Sequence, residues 1–139
     1  MANYSNLGSV LAYAGNVPVA YPAAGAVGGG VINAGAGQNL KLYVKIVTDA
    51  ASSFTGVGIK LQESYDASAG SFLDVLMTDN AGTGTTANEK VQTVTAGTTT
   101  WVVLSTSNAR LANNLQVIVK GNGGAAKAGD AITVYAMAW

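Results

Sequence analysis

The side chains able to take up or release a proton in conventional acid–base catalysis are few in this 139-residue chain, which has no histidine and no cysteine. Their absence removes the imidazole base, the thiol nucleophile, disulfides and every Cys/His zinc site. Seven carboxylates are present: Asp49, Glu63, Asp66, Asp74, Asp79, Glu89 and Asp130. Hydrolysis by paired carboxylates needs two that converge on one bond. Most of these instead lie in or beside turn-forming stretches, where Asp serves the backbone with its side-chain oxygens. Asp74 sits inside a strand-like run, at a position read as its solvent face. The stretch "DNAGTGT" (79–85) has some likeness to a calcium loop, but it lacks the alternating oxygen ligands and the terminal Glu. The reading is a protein that is not an enzyme, with no catalytic residue, cofactor or metal.

One glycine-rich stretch bears on phosphate chemistry. "GNGGAAKAGD" (121–130) follows an apolar run and carries one lysine. A phosphate-binding loop needs Gly, four residues, Gly, Lys and then a hydroxyl residue, at the start of a helix. Gly121 and Lys127 fit that spacing, but Ala126 replaces the second glycine and Ala128 the hydroxyl. The following "AITVYAMAW" alternates as a strand. The stretch therefore reads as the connection into the last strand, with Asn122-Gly123 as a hairpin cue. Lys127 is then solvated or meets a carboxylate on a neighbouring subunit. "NAGAGQNL" (33–40) contains Gly-x-Gly without the third glycine or the helix of a dinucleotide fingerprint, and reads as a tight turn into a strand.

The aromatic residues are Tyr4, Tyr13, Tyr21, Tyr43, Phe54, Tyr65, Phe72, Trp101, Tyr135 and Trp139. A sugar-binding module would gather several of them on one exposed face. Trp101 lies in an apolar run and reads as a core or interface side chain. Trp139 reads either as an anchor packed on a neighbour or as the residue closing its own strand's core face. Tyr4, Tyr13, Tyr21, Lys127 and Trp139 are the candidates for contact between subunits.

The elements that position these residues are strands. In "LKLYVKI", Leu40, Leu42, Val44 and Ile46 share one face, and Lys41, Tyr43 and Lys45 the other. In "VGIKLQE", Val57, Ile59 and Leu61 alternate with Gly58, Lys60 and Gln62. Period-two alternation marks half-buried antiparallel strands. "SFLDVLMT" (71–78), "EKVQTVT" (89–95), "TTWVVLS" (99–105), "LQVIVK" (115–120) and "AITVYAMAW" (131–139) extend the series, with "SVLAYA" (9–14) and "GVINA" (30–34) as shorter members. Gly-, Asn-, Asp- and Ser-rich separators divide them. "TSNARLANN" (106–114) has room for one helical turn. The prediction is an all-β, antiparallel β-sandwich (a jelly roll) of about eight strands. Residues 1–28, with Pro18 and Pro22, read as an extended arm or edge segment. Residues 29–139 read as a single sandwich domain.

Composition narrows the partners. Charged residues are 10% of the chain against about 25% in an ordinary soluble domain, while 49% are apolar. Burial against other chains would relieve such a surface. Seven basic and seven acidic residues give zero net charge with no basic block, so neither nucleic acid nor an anionic membrane finds an electrostatic footprint. No apolar run approaches the ~20 residues of a membrane helix. The N-terminus lacks the basic region of a secretory signal, and the missing cysteines fit cytosolic synthesis.

Three stretches together resemble the jelly-roll capsid cement (decoration) proteins of tailed bacteriophages. "NAGAGQNLKLYVKIVTD" leads a glycine turn into a long strand. "SFTGVGIKLQESYDASAGSFLDVLMT" contains a Leu-Gln-x-Ser strand, a short turn and a Phe-led strand. "NLQVIVKGNGGAAKAGDAITVYA" pairs a penultimate strand and glycine loop with the last strand. The likeness spans about residues 33 to 136. The segment "VVLSTSNARLANNL" lacks the Leu-Pro and the Arg/aromatic cluster that family members often carry, and keeps Arg110 alone. The resemblance implies a structural virion protein that is made in the host cytoplasm and sits on the outer capsid surface. It implies a homotrimer bridging neighbouring major capsid protein subunits against internal DNA pressure. The alternative is a carbohydrate-binding or receptor-recognition module on the same fold, since fold does not fix function.

Overall fold

The computed structural model describes residues 5–22, 30–32, 39–64, 66, 72–79, 86–106 and 114–138. The described residues form eleven strands: β1 (Ser5–Ala14), β2 (Gly30–Ile32), β3 (Leu40–Val47), β4 (Gly56–Ser64), β5 (Phe72–Asp74), β6 (Met77–Asp79), β7 (Thr86–Ala87), β8 (Lys90–Thr93), β9 (Thr99–Thr106), β10 (Asn114–Asn122) and β11 (Ala131–Ala138). All pairings are antiparallel. One sheet has six strands in the order β1-β11-β3-β9-β6-β7. The other runs β2-β10-β4-β5, with β8 also paired to β4. The molecule is an all-β sandwich.

The alternating pattern makes the core. On β3, Leu40, Leu42, Val44 and Ile46 are buried. Val102 and Leu104 of β9 join them, with Ile132, Val134, Ala136 and Ala138 of β11. From the other sheet come Val57, Ile59, Leu61, Leu115, Val117 and Val119. Side chains on facing sheets fill a layer about 10 Å thick. Residues 5–14, expected as part of an arm or edge segment, are the edge strand β1. It pairs with β11 along its length and sends Leu11 into the core.

Two details depart from the sequence reading. "SFLDVLMT" is not one strand. Phe72–Asp74 pairs with β4, whereas Met77–Asp79 pairs with β9 in the opposite sheet. Val75, buried at the bend, donates its N–H to the Leu61 carbonyl at 2.8 Å and so holds the corner. Nor is the 121–130 stretch a hairpin, because β10 pairs with β2 and β4 while β11 pairs with β1 and β3. The loop is an arch between sheets. Gly123, at φ +113°, turns the chain out of β10 where a side chain would be strained. The Asn-Gly pair therefore marks a change of direction rather than a two-residue turn.

Candidate functional site: an aromatic face

The outward positions of β3, β9 and β11 assemble a face that the individual strands do not disclose. Register places Tyr135 beside Tyr43, and Tyr43 beside Val103. The next row sets Thr133 beside Lys45, and Lys45 beside Trp101. The row on the other side sets Asn6 of β1 beside Met137, then Lys41 and Ser105. Trp101 reaches diagonally across β3 to Tyr135, with ring centroids 6.0 Å apart and planes 27° apart. Both stay open to solvent: Trp101 is 53% exposed and Tyr135 37%. Trp101, read from its apolar run as core or interface, thus points away from the core. The reason is parity, since Val102 and Leu104 take the inward positions of β9.

Asn6, Tyr43, Trp101, Tyr135, Ala136 and Met137 line a shallow pocket of about 310 Å³. The Lys45 ammonium lies 5.8 Å from the Trp101 ring centre and that of Lys41 5.6 Å from the Tyr43 ring centre. Such cation–π contacts are worth about 0.5–1 kcal/mol when exposed. Among the described residues no carboxylate pairs with either lysine. The ion pairs are Lys60 with Asp74 at 3.3 Å and Lys90 with the buried Asp79, both away from this face. The face therefore combines open π surfaces with cationic charge.

Tyr21 occupies the outer face of the other sheet. Its ring lies 4.9 Å from the ammonium groups of both Lys60 and Lys120. Its hydroxyl donates to Glu89 Oε2 at 2.6 Å. Burial pushes the phenol pKa far up, and the Glu89 hydrogen bond and the charges of Glu89 and Asp74 add to it. Tyr21 thus stays a donor. It covers Gly58 so closely that a Cβ there would collide with the hydroxyl. The neighbouring Gln62 donates to Asp74 Oδ1 at 3.0 Å, and its own Oε1 is buried without a hydrogen-bond partner.

The remaining subunit-contact candidates are scattered. Tyr13 is half-buried against the core, and its pKa is raised by desolvation. Lys127 is exposed in the arch. Its backbone N–H donates to Asp130 Oδ2 at 2.8 Å, while Asp49 N–H donates to Oδ1 at 2.9 Å. Asp130 is buried, which pushes its pKa up. The Lys127 and Asp49 N–H groups, the Ser52 hydroxyl and the Lys127 charge outweigh this and hold it below the ordinary value. Asp130 is a structural brace for the arch. Tyr4, Trp139 and Arg110 lie outside the described residues. Among the described residues no three carboxylates gather to hold a metal ion.

Sequence reasoning did not bring Tyr43, Trp101 and Tyr135 together. Tyr43 and Tyr135 stand at outward positions that alternation makes readable, whereas Trp101 reads as core or interface because it opens the apolar run 101–104. Their adjacency depends on β11 pairing with β3 and β3 with β9, which strand periodicity does not encode. Comparison with family models, curated proteins and solved structures found no match.

Proposed function

We propose that this chain is a structural, non-enzymatic virion protein: a jelly-roll capsid cement protein. It binds the outer surface of a phage capsid as a homotrimer and bridges neighbouring major capsid protein subunits. The observation that carries this reading is exposed apolar surface on both sides of a charge-poor sandwich. Trp101 and Tyr135 stand on the six-stranded sheet, Val31 and Val91 on the five-stranded sheet, and Leu73 and Leu76 at the edge where the chain changes sheets. A subunit that meets both its own copies and a shell needs more than one such surface. Strand order supports the fold name. β1-β11-β3-β9 faces β2-β10-β4-β5, with most successive strands in opposite sheets, as two interlocked Greek keys require. Stabilisation then comes from several modest contacts made together, since a trimer engaging several subunits gains effective concentration. Light scattering and co-sedimentation with expanded capsids test the proposal. A trimer that pellets with capsids is expected, and a strict monomer that stays in the supernatant overturns it.

A second reading, carbohydrate or receptor recognition at the head surface, is favoured by one observation. Trp101, Tyr135 and Tyr43 surround a shallow pocket with Asn6 at its rim. Small-ligand sites pair apolar rings with a few polar groups in this way.

A further inference from the structure

The geometry points to an acidic sugar as the occupant of the aromatic face: a pyranose bearing a carboxylate, such as a uronic acid residue of a polysaccharide. Its ring lies against the Trp101–Tyr135 pair and its carboxylate is directed to Lys45, while Lys41, about 13 Å along β3, meets the carboxylate of an adjoining sugar. This rests on the carbohydrate-recognition reading and narrows it to an anionic ligand class.

Aromatic faces carry the negative lobe of a quadrupole. The C–H groups on one side of a pyranose are weakly positive and meet such faces through weak C–H contacts. Trp101 and Tyr135 stack on one another with planes 27° apart, and the pair keeps exposed ring surface beside the pocket for a sugar to lie on. The pocket, about 310 Å³, stands at the small end of the ~300–1,000 Å³ range of small-ligand sites. That suits one or two sugar rings.

Charge selects among sugars. Lys41 and Lys45 flank Tyr43 on β3, near the middle of the six-stranded sheet. The described carboxylates are engaged or placed elsewhere: Asp74 with Lys60, Asp79 with Lys90, Glu89 with Tyr21, and Asp49 and Asp130 in the arch. Glu63 belongs to β4 in the other sheet, and Asp66 follows that strand. In a chain of zero net charge, this face is locally cationic. Two lysines beside exposed rings suit an anionic group at the rim of the face. A sugar carboxylate meets them at the wet rim and leaves the ammonium groups hydrated.

The test titrates the full-length protein with a tetramer of galacturonic acid and with the same tetramer as its methyl ester. Trp fluorescence and saturation-transfer NMR read the binding, and an acidic glycan array covers other uronates. The acid form is expected to bind about tenfold or more tightly than the ester, with the difference shrinking as salt rises. Trp101→Ala is expected to weaken both by about tenfold, and Lys45→Gln with Lys41→Gln to erase the preference for the acid. Thermal melts verify folding of the variants. Equal binding of acid and ester overturns the anionic class and leaves carbohydrate recognition standing. No binding of either tetramer or of any arrayed uronate overturns the inference, and no binding across a neutral glycan array as well overturns the carbohydrate reading. Loss of capsid decoration by Trp101→Ala, without sugar binding by the parent, assigns the face to a protein contact and likewise overturns the inference.

Discussion

Asp130 shows how one side chain governs a connection between sheets. Its two carboxylate oxygens accept from Lys127 and Asp49 N–H groups, and it is buried. Because its folded pKa is depressed, its contribution is present above the unfolded value of about 3.9 and is lost as pH falls through the lower folded value. Asp130→Asn is expected to cost about 1–3 kcal/mol at pH 7, measured by urea unfolding. It should also flatten the loss of stability that the parent shows below about pH 4. A second residue-scale expectation concerns Gly58 and Tyr21. Gly58→Ala should destabilise by about 1–3 kcal/mol through collision with the phenol. Combined with Tyr21→Phe, which removes the colliding oxygen, the cost should fall below the sum of the two single changes. A double-mutant cycle reads this directly. The sequence named Asp130 and Tyr21 but not these roles, because each depends on a partner far along the chain.

Strand periodicity carries the fold at the scale of elements. β3 alternates between buried apolar and half-buried positions from Leu40 to Val47, as its residues require. β4 and β10 are buried on both faces, so alternation alone understates them. Tyr21 covering Gly58 is part of the reason. The nine strand-like runs of the sequence become eleven strands because "SFLDVLMT" breaks at Val75 and β7, only two residues long, is not among those runs. Runs that short carry no period to detect. Strand order was not legible, since the pattern tells which side chains face inward but not which strand lies beside which. That is why the outward Tyr43, Trp101 and Tyr135 remained separate until register joined them. Packing makes the contrast testable. Leu61→Ala, in the centre of the core, should cost about 2–5 kcal/mol. Leu73→Ala, 70% exposed at the sheet edge, should change stability by no more than about 0.5 kcal/mol. Chemical unfolding of both variants checks the assignment of inside and outside.

On the scale of the whole molecule, zero net charge and 10% charged residues leave a surface with little electrostatic coat. The sandwich places exposed apolar groups on both sheets and at the edge between them. Such a surface suits a subunit that is covered on several sides when assembled. The most direct measurement is electron microscopy of expanded phage capsids incubated with the purified full-length protein. The cement proposal expects threefold-symmetric density on the outer shell where capsid subunits meet, with three sandwiches in each feature. Bare capsids at saturating protein, with the protein monomeric in the same buffer, would contradict it.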